Sequence, residues 1–266
     1  MESEFTDKDT YQIDFDPRDY LDTYYGAESG MLVQDGFLPF VLRKLAQTFS
    51  AGGVKGDLLI DIGPGPAIYQ ELSACEAFKE IIAADYTERN RQYFEKWLKN
   101  EPGIFDWTPV VKTVCDLEGK SGQLVQKQEK LRRAVKQIIK CDVTKSRPMD
   151  PLVLPKADCV LTIGCLECAC KDLEAYQNAL KNLSSLLKIG GHIIISEILG
   201  CTSYLCGTRR FSCLTLDEAF MKKAVTETGF VIEDLEVIHR EYNKEQFELC
   251  DHTSSIFLVA RKVKEI

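Results

Sequence analysis

The chain has 266 residues, of which 45% are hydrophobic, and a formal net charge of −8. This length supports one large α/β domain with a sizeable core, whereas the acidic balance argues against nucleic acid as a substrate. No apolar run reaches the roughly 18 residues of a membrane helix, and the acidic, polar first residues do not resemble a signal peptide.

The first part of the chain is predicted to be helical. Asp16 is followed by Pro17, which is the arrangement of a cap and a first helical turn. Apolar residues then recur at helical spacing at Phe37, Val41, Leu45 and Phe49. We therefore predict a helical cap over residues 1–55.

The pattern changes to strands that alternate with helices from residue 56 onward. The apolar runs of the successive predicted strands cover residues 58–62, 80–85, 138–142, 157–163 and 192–196. Nearly continuous apolar strands separated by helices indicate a parallel sheet that is covered on both faces.

The last two predicted strands, residues 230–242 and 255–261, are joined by a short polar segment. A short connection favours antiparallel pairing, because a parallel pair needs a longer crossover. Residues 200–216 interrupt the alternation and are predicted to form a lid or a wall of the pocket.

A glycine loop follows the first predicted strand. Gly63 and Gly65 close that strand and open a helix, at the sheet edge where ligands of open α/β sheets bind. A dinucleotide fingerprint would place a third glycine where Ile68 stands, and Asp61 suits a cationic amino-acid tail better than a pyrophosphate. The alternative interpretation of this glycine loop is a structural one, a tight turn between the strand and the helix.

Acidic residues also follow the next two strands. Asp85 stands about twenty residues after the glycine loop, where an acid can bind ribose hydroxyls. Asp142 follows the third strand and could accept the amino group of adenine. Each acid could instead be a helix cap or a turn residue, but three acids around one crevice favour a ligand site.

Seven stretches of the sequence resemble one known family. They are residues 9–11, 16–21, 24–25, 56–63, 68–76, 141–144 and 258–262. Together they are similar to the nicotinamide, phenylethanolamine and indolethylamine N-methyltransferases. The resemblance covers nearly the whole chain. It implies a single domain of the Rossmann-like methyltransferase fold over residues 1–266, with a mostly parallel seven-stranded sheet that ends in an antiparallel hairpin.

The resemblance also implies an activity. The chain would be a monomeric, cytoplasmic enzyme that transfers a methyl group from S-adenosylmethionine (SAM) to a small amine, pyridine or thioether and releases S-adenosylhomocysteine (SAH). Of these acceptors, we favour an amine or pyridine nitrogen.

The resemblance further implies which residues hold the cofactor. The methionine tail and sulfonium would contact the glycine loop and three tyrosines, and the nucleoside would contact the later strand ends. These residues are Tyr20, Tyr25, Gly63, Gly65, Tyr69, Asp85, Tyr86, Thr87, Asn90, Asp142, Val143 and Ile163. Aromatic rings suit this role because their faces attract cations. Plain packing of the N-terminal tyrosines against the domain is the alternative.

Two glutamates are predicted to manage the methyl acceptor. Glu167 and Glu197 follow the fourth and fifth strands, so both could face the pocket and hold a protonated amine or accept its proton. With Tyr20 they are the predicted catalytic residues. The alternative is that they cap helices or pair with Arg209 or Arg210.

The remaining predicted acceptor residues are Tyr24, Cys201, Tyr204 and Cys213. Relatives that methylate nicotinamide carry serines at the positions of Cys201 and Cys213, and aspartates at those of Glu167 and Glu197. A thiol is a poor hydrogen-bond partner for a carboxamide, and a site that recognises an amide by hydrogen bonds loses heavily without them. We therefore expect nicotinamide to be a poor acceptor.

The chain contains eleven cysteines. Several stand beside apolar residues, which is typical of buried free thiols in a reducing compartment. Cys165 and Cys168 have the Cys-x-x-Cys spacing of zinc ligands, but no second such pair or nearby histidine completes a set, so no metal is predicted.

Three other activities remain open at this stage. A thiol-rich pocket could accept a thioether or selenide in an S-methyltransferase. The altered acceptor residues could belong to a non-catalytic SAM-binding protein. A nicotinamide-nucleotide oxidoreductase is disfavoured because the glycine loop lacks its third glycine.

Overall fold

The computed structural model describes residues 5–26, 30–34, 36–50 and 53–266. Within these residues the helices are α1 Lys8–Asp14, α2 Pro17–Tyr25, α3 Met31–Gln34, α4 Phe37–Ser50, α5 Glu71–Ala77, α6 Glu88–Leu98, α7 Thr108–Leu117, α8 Leu124–Ala134, α9 Leu166–Ala169, α10 Leu173–Ser184, α11 Glu218–Glu227 and α12 Lys244–Leu249. The strands are β1 Gly56–Ile62, β2 Phe78–Asp85, β3 Val135–Lys140, β4 Ala157–Ile163, β5 Leu187–Leu199, β6 Ser203–Cys206, β7 Arg209–Ser212, β8 Phe230–His239 and β9 Ser254–Lys262.

The larger sheet has seven strands in the order β3-β2-β1-β4-β5-β9-β8. The first five of these are parallel, while β9 runs antiparallel to both of its neighbours. This arrangement confirms the predicted mostly parallel sheet with an antiparallel C-terminal hairpin. The carboxyl ends of the parallel strands therefore lie along one edge, and the glycine loop and the acids that follow β2 and β3 meet there.

Both faces of the sheet are buried in separate apolar clusters. In β1, Leu59 belongs to one cluster and Ile60 to the other. Ile81 and Ile82 in β2 divide in the same way. Successive strand side chains point to opposite faces, so a strand covered on both sides must be apolar at nearly every position. This explains the continuous apolar runs in the sequence.

The N-terminal helices form as their sequence predicts. The carboxylate of Asp16 accepts hydrogen bonds from the amides of Arg18 at 2.8 Å and Asp19 at 2.9 Å, which satisfies two donors at the start of α2. In α4 the predicted apolar stripe is buried. Among the described residues, no helix is both long and apolar enough to cross a membrane.

Two segments contain elements that the sequence did not indicate. Within residues 200–216, β6 pairs with β7 in a small two-stranded sheet. The segment between β8 and β9 contains the short helix α12, which Asn243 caps, where a polar loop was expected. A period of 3.6 is hard to recognise in a helix of six residues, which explains why the sequence did not indicate it.

An unusual pair of acids lies behind the glycine loop. Asp61 in β1 and Glu71 in α5 are both buried, and the oxygens of their carboxyl groups have no hydrogen bond of normal geometry. Burial raises the pKa of Asp61 to about 8 and raises that of Glu71 well above its usual value, and the neighbouring acid raises the pKa of Glu71 further. The folded protein therefore retains protons that the unfolded chain releases.

We expect Glu71→Gln to stabilise the protein at pH 8 and to have a smaller effect at pH 5. The pKa of a glutamate in the unfolded chain is about 4.3. Above this pKa, ionisation lowers the free energy of the unfolded state, whereas the buried acid stays protonated. The resulting destabilisation of the folded state grows as pH rises toward the folded pKa. The melting temperature at the two pH values measures the effect. Glu129→Gln, on the exposed face of α8, is the matched control. An equal shift at both pH values would contradict the proposed burial penalty.

Candidate active site

The carboxyl edge of the sheet opens into a cavity of about 690 Å³, a size typical of small-molecule sites. All twelve residues predicted to hold the cofactor line it: Tyr20, Tyr25, Gly63, Gly65, Tyr69, Asp85, Tyr86, Thr87, Asn90, Asp142, Val143 and Ile163. The sheet topology thus gathers residues that are up to 143 positions apart in the sequence, from Tyr20 to Ile163.

The predicted acceptor residues divide into two groups. Tyr24, Glu167 and Tyr204 line the cavity. Glu197, Cys201 and Cys213 are buried behind its wall and do not line it. The second group can therefore affect the cavity only through the residues in front of it.

The glycine loop brings backbone close to the cavity. Gly63 has a φ of +68°, and a Cβ atom there would lie 2.2 Å from the sulfur of Cys165. Gly65, with a φ of +64°, donates its amide to the carboxylate of Asp85 at 2.9 Å. Only glycine adopts these angles without strain, so the two glycines let the loop turn tightly beside the carboxyl end of β2.

Asp85 is fixed by three donors. Its carboxylate accepts the amide of Gly65, the amide of Thr87 at 2.8 Å and the side-chain amide of Asn90 at 3.3 Å. Burial nevertheless raises its pKa. These donors hold the carboxylate in one orientation at the cavity wall. Because one of them is the amide of Thr87 in the following turn, Asp85 also has the capping role that was considered as the alternative.

Asp142 lies at the far end of the same wall and has a charged partner. Its carboxylate accepts Lys8 Nζ at 2.9 Å and Thr144 Oγ1 at 2.6 Å. Burial opposes ionisation, but these hydrogen bonds lower the pKa of Asp142 overall. Lys8 Nζ also lies 5.6 Å from the centre of the Tyr86 ring.

The N-terminal arm before α2 closes one side of the cavity. Phe5, Thr6, Lys8, Tyr11 and Phe15 line it. Thr6 and Ser212 exchange hydrogen bonds, and the side chain of Gln12 bridges the carbonyl of Tyr86 and the amide of Glu88. These contacts join positions that are 74 to 206 residues apart, so no local pattern in the sequence indicates them.

An aromatic wall separates the glycine loop from the acceptor end. The rings of Tyr20 and Tyr25 are 5.7 Å apart, and those of Tyr25 and Tyr69 are 5.3 Å apart. Burial raises the pKa of Tyr20 and Tyr69 well above the usual value, so their hydroxyls stay neutral. Neutral, electron-rich ring faces can stabilise a bound cation. An ionised side chain in the same place would itself need a partner of opposite charge.

The two predicted catalytic glutamates are adjacent. Glu167, in the first turn of α9, and Glu197, in β5, are fully buried, and burial raises the pKa of both. Tyr176 Oη donates to Glu197 Oε1 at 3.2 Å, which leaves Oε2 to carry a proton. The pKa of Glu197 is raised further by Glu167, whereas Glu197, the backbone amides of Glu167 and Ile198, and His252 act against the rise in the pKa of Glu167.

The neighbouring arginines have other partners. Arg209 forms an ion pair with Asp14 at 2.6 Å, and Arg210 donates to Ser203 Oγ and to the carbonyl of Glu248. The ion pairs that were considered as the alternative role of the glutamates are therefore not formed. Tyr176 is a site residue that the sequence did not indicate, since its place in α10 is that of an ordinary core tyrosine.

The model of the NNMT/PNMT/TEMT family matches residues 2–263. The chain belongs to this family. It is 51% identical over 263 residues to nicotinamide N-methyltransferase of Homo sapiens, with 99% of this chain and 98% of the relative covered. It is 50% identical over 262 residues to indolethylamine N-methyltransferase of Oryctolagus cuniculus, with 98% of each chain covered.

A more distant relative is phenylethanolamine N-methyltransferase of Sus scrofa, which is 40% identical over 224 residues. That match covers 83% of this chain and 79% of the relative. These findings confirm the predicted family, and the chain is a SAM-dependent small-molecule N-methyltransferase. The alternative of an S-methyltransferase or a non-catalytic protein is not favoured.

The fold is also that of known methyltransferases. Magnesium protoporphyrin IX methyltransferase from Synechocystis PCC 6803, solved with bound SAM, matches with a TM-score of 0.61 at 14% identity. The match covers 98% of this chain and 100% of that one. At this identity the likeness shows the Rossmann-like fold alone.

The cavity of the methyltransferase fits SAM chemically. A sulfonium needs neutral electron-rich neighbours, which the faces of Tyr20, Tyr25 and Tyr69 provide. Gly63 and Gly65 both line the cavity, so a ligand there can lie against the backbone of the loop. Carboxylates at Asp85 and Asp142 can accept hydrogen bonds from a ribose and from an adenine amino group.

We expect Asp85→Asn to weaken SAM binding by at least about tenfold, since hydrogen bonds to charged groups contribute about 1.5–3 kcal/mol. The amide keeps one acceptor oxygen but cannot accept from Gly65, Thr87 and a ribose hydroxyl together. Titration calorimetry with SAM measures the loss. Asp57→Asn is the control, because Asp57 lies at the opposite end of β1 and pairs with exposed Lys79. Unchanged affinity in Asp85→Asn would show that this carboxylate does not bind the cofactor.

Proposed function

We propose that the methyltransferase acts on small amines that carry a basic nitrogen, and that Glu167 is the acid that meets this nitrogen. The observation that supports the proposal is the buried Glu167–Glu197 pair, of which Glu167 lines the cavity. The named activities of the indolethylamine and phenylethanolamine relatives are consistent with it.

The pair has a defined charge distribution. Tyr176 orients Glu197, whose pKa Glu167 raises further, whereas Glu197, the backbone amides of Glu167 and Ile198, and His252 act against the rise in the pKa of Glu167, so we assign the proton to Glu197 and the charge to Glu167. In this assignment one negative charge lies at the cavity wall, and His252 is a basic side chain that favours it. At about 4 Å and an effective dielectric constant of 20, a carboxylate and an ammonium attract by about 4 kcal/mol before desolvation is counted. An amine supplies the charge that the pair lacks.

The same residues suit the transfer step. When bound, SAM supplies an electrophilic methyl group on sulfur. The attacking nitrogen must have a free lone pair, and Glu167 can hold the proton that a primary or secondary amine gives up. The buried tyrosines exclude water and restrict the orientation of the acceptor, so that alignment provides much of the rate. A pyridine nitrogen has no proton to release and would make less use of the glutamates.

The positions of the thiols weaken the case for nicotinamide. Cys201 and Cys213 lie behind the cavity wall, and the sulfur of Cys201 is engaged with Cys250 at 3.7 Å and with Asp251 at 3.2 Å. They offer little to a carboxamide.

We further propose that residues 1–266 form one domain, in which residues 1–55 act as a cap and residues 200–216 as a lid at the acceptor end. Tyr204 from the lid lines the cavity and donates to Tyr11 at 3.1 Å. The eleven free cysteines support a reducing, cytoplasmic location. The net charge of −8 supports the exclusion of nucleic acid substrates, and a cavity complete within one chain supports a monomeric enzyme.

A panel of acceptors tests the proposed substrate class. SAM turnover is scored by SAH release with tryptamine, phenylethanolamine, histamine, quinoline, nicotinamide and dimethyl sulfide. We expect kcat/KM for the best amine to exceed that for nicotinamide at least about tenfold, as expected when a site leaves an amide unpaired. Nicotinamide turnover as fast as that of the amines would contradict the assignment.

A charge deletion tests the role of Glu167. We expect Glu167→Gln to lower kcat/KM for the amine at least about tenfold, because removing one partner of a buried charge pair costs 2 kcal/mol or more. Turnover of quinoline, which carries no removable proton at neutral pH, and the KM for SAM should change little. Glu174→Gln, exposed on α10, is the control. An equal loss with amine and quinoline would indicate a general structural role instead.

A further inference from the structure

Four cysteines form a row beside the acceptor end of the cavity, and the proposed reaction uses none of them. The sulfurs of Cys168 and Cys213 are 3.9 Å apart, and those of Cys201 and Cys250 are 3.7 Å apart. The two pairs are neighbours, because Cys213 also lowers the pKa of Cys201. The sulfurs follow one another rather than converge, and the described part of the chain holds no group of three or more His, Cys, Asp or Glu residues suited to a metal ion.

The pair Cys201–Cys250 is held in place from both sides. The carboxylate of Asp251 accepts the amides of Thr202 at 2.7 Å and Ser203 at 3.1 Å and also the thiol of Cys201 at 3.2 Å. Tyr204 and Cys250 form an isolated backbone bridge. The two sulfurs are thus kept in van der Waals contact, and they need to approach by about 1.6 Å to reach the disulfide bond length of about 2.05 Å.

One member of the buried pair faces the cavity, and the pKa of the other is lowered. Cys250 lines the cavity, which gives a small solute a route to the sulfurs. Cys213 and Cys250 lower the pKa of the Cys201 thiol to about 7, although burial and Asp251 raise it. The thiolate is the form that reacts with oxidants.

We propose that Cys201 and Cys250 are a modification site, at which a peroxide forms a reversible disulfide that changes acceptor binding. One thiolate attacks the O–O bond and becomes a sulfenic acid, while the departing hydroxide takes up a proton to form water. The second sulfur then attacks the sulfenic sulfur, the S–S bond forms, the S–O bond breaks and a second water leaves. Two thiols and one hydrogen peroxide give one disulfide and two waters, and a dithiol reverses the change.

The effect on the acceptor follows from the contacts of Tyr24. Tyr24 Oη donates to the carbonyl of Leu205 at 2.7 Å and to that of Leu249 at 3.2 Å. Leu249 directly precedes Cys250, and Leu205 lies in β6, shortly after Cys201. Drawing Cys250 toward Cys201 shifts the segment that holds Tyr24 at the cavity. Asp85 and Asp142 lie on the strands β2 and β3 and their loops, away from this segment, so cofactor binding should not change.

The test uses the whole purified enzyme. The protein is treated with hydrogen peroxide, the remaining thiols are blocked with N-ethylmaleimide, and digested peptides are mapped by mass spectrometry. We expect a peptide that joins Cys201 to Cys250. We also expect a rise of at least about threefold in KM for the amine, which is modest beside the losses that a 1 Å misplacement can cause. The KM for SAM should stay constant, and dithiothreitol should restore the amine KM.

Variants separate this site from general oxidation. Cys250→Ala should abolish the peroxide-induced rise in KM, each enzyme being compared with its own reduced form. Cys115→Ala removes a buried thiol between α7 and the core, far from the cavity, and should keep both the basal activity and the peroxide response. The peptide map requires no acceptor, so a wrong substrate assignment would leave it interpretable.

Two results would overturn the proposal. The first is a peptide map in which Cys201 and Cys250 stay unlinked while other thiols are oxidised. The second is a Cys201–Cys250 disulfide that leaves the KM of the amine unchanged.

Discussion

Buried carboxyl groups need partners, and much of the active site follows from how each acid obtains one. Asp85 receives amides from the glycine loop and the following turn. Asp142 receives Lys8 from the N-terminal arm. Glu167 lies beside Glu197, whose pKa it raises further. These surroundings differ, and for that reason we propose that a single sheet edge binds hydroxyl groups, an amino group and a basic nitrogen at different points.

The acceptor end differs from the cofactor end in one physical respect. The acids at the cofactor end are satisfied by donors of the protein itself, and they can add a ligand without a change of protonation. Glu167 lies beside a second buried acid, and in the proposed assignment the entry of a basic group balances its charge. In the proposed function, this difference lets one cavity bind the cofactor and choose its acceptor by charge. The proposed disulfide of Cys201 and Cys250 would act on the same end of the cavity.

The sequence predicted most of the fold because the relevant signals are local. The apolar run of residues 58–62, the glycines that follow it and the acid at Asp85 each have a spacing that indicates a strand end, a turn and a ligand group. The parallel sheet then brings these ends together. The predicted cofactor residues line one cavity for this reason.

Other features could not be predicted because they depend on contacts between distant segments. Nothing in the sequence near Lys8 indicates that it meets Asp142, and Tyr176 looks like any core tyrosine until its hydroxyl is seen to reach Glu197. The sequence likewise placed both glutamates at the ends of adjacent strands but could not show that Glu167 lines the cavity while Glu197 lies behind it. Side-chain direction in the short helix α9 decides that question.

The shared proton of the glutamate pair is the central claim, and carbon-13 NMR of protein labelled at the glutamate carboxyl carbon tests it most directly. With SAH bound at pH 7, we predict a resonance at the chemical shift of a protonated acid that disappears in Glu197→Gln and persists in Glu71→Gln. The predicted cause is burial beside Glu167, which raises the pKa of Glu197 well above its usual value. A Glu197 resonance that titrates near the usual glutamate pKa of about 4.3 would contradict the account, because Glu167 would then have no proton donor and the acceptor end would carry two charges.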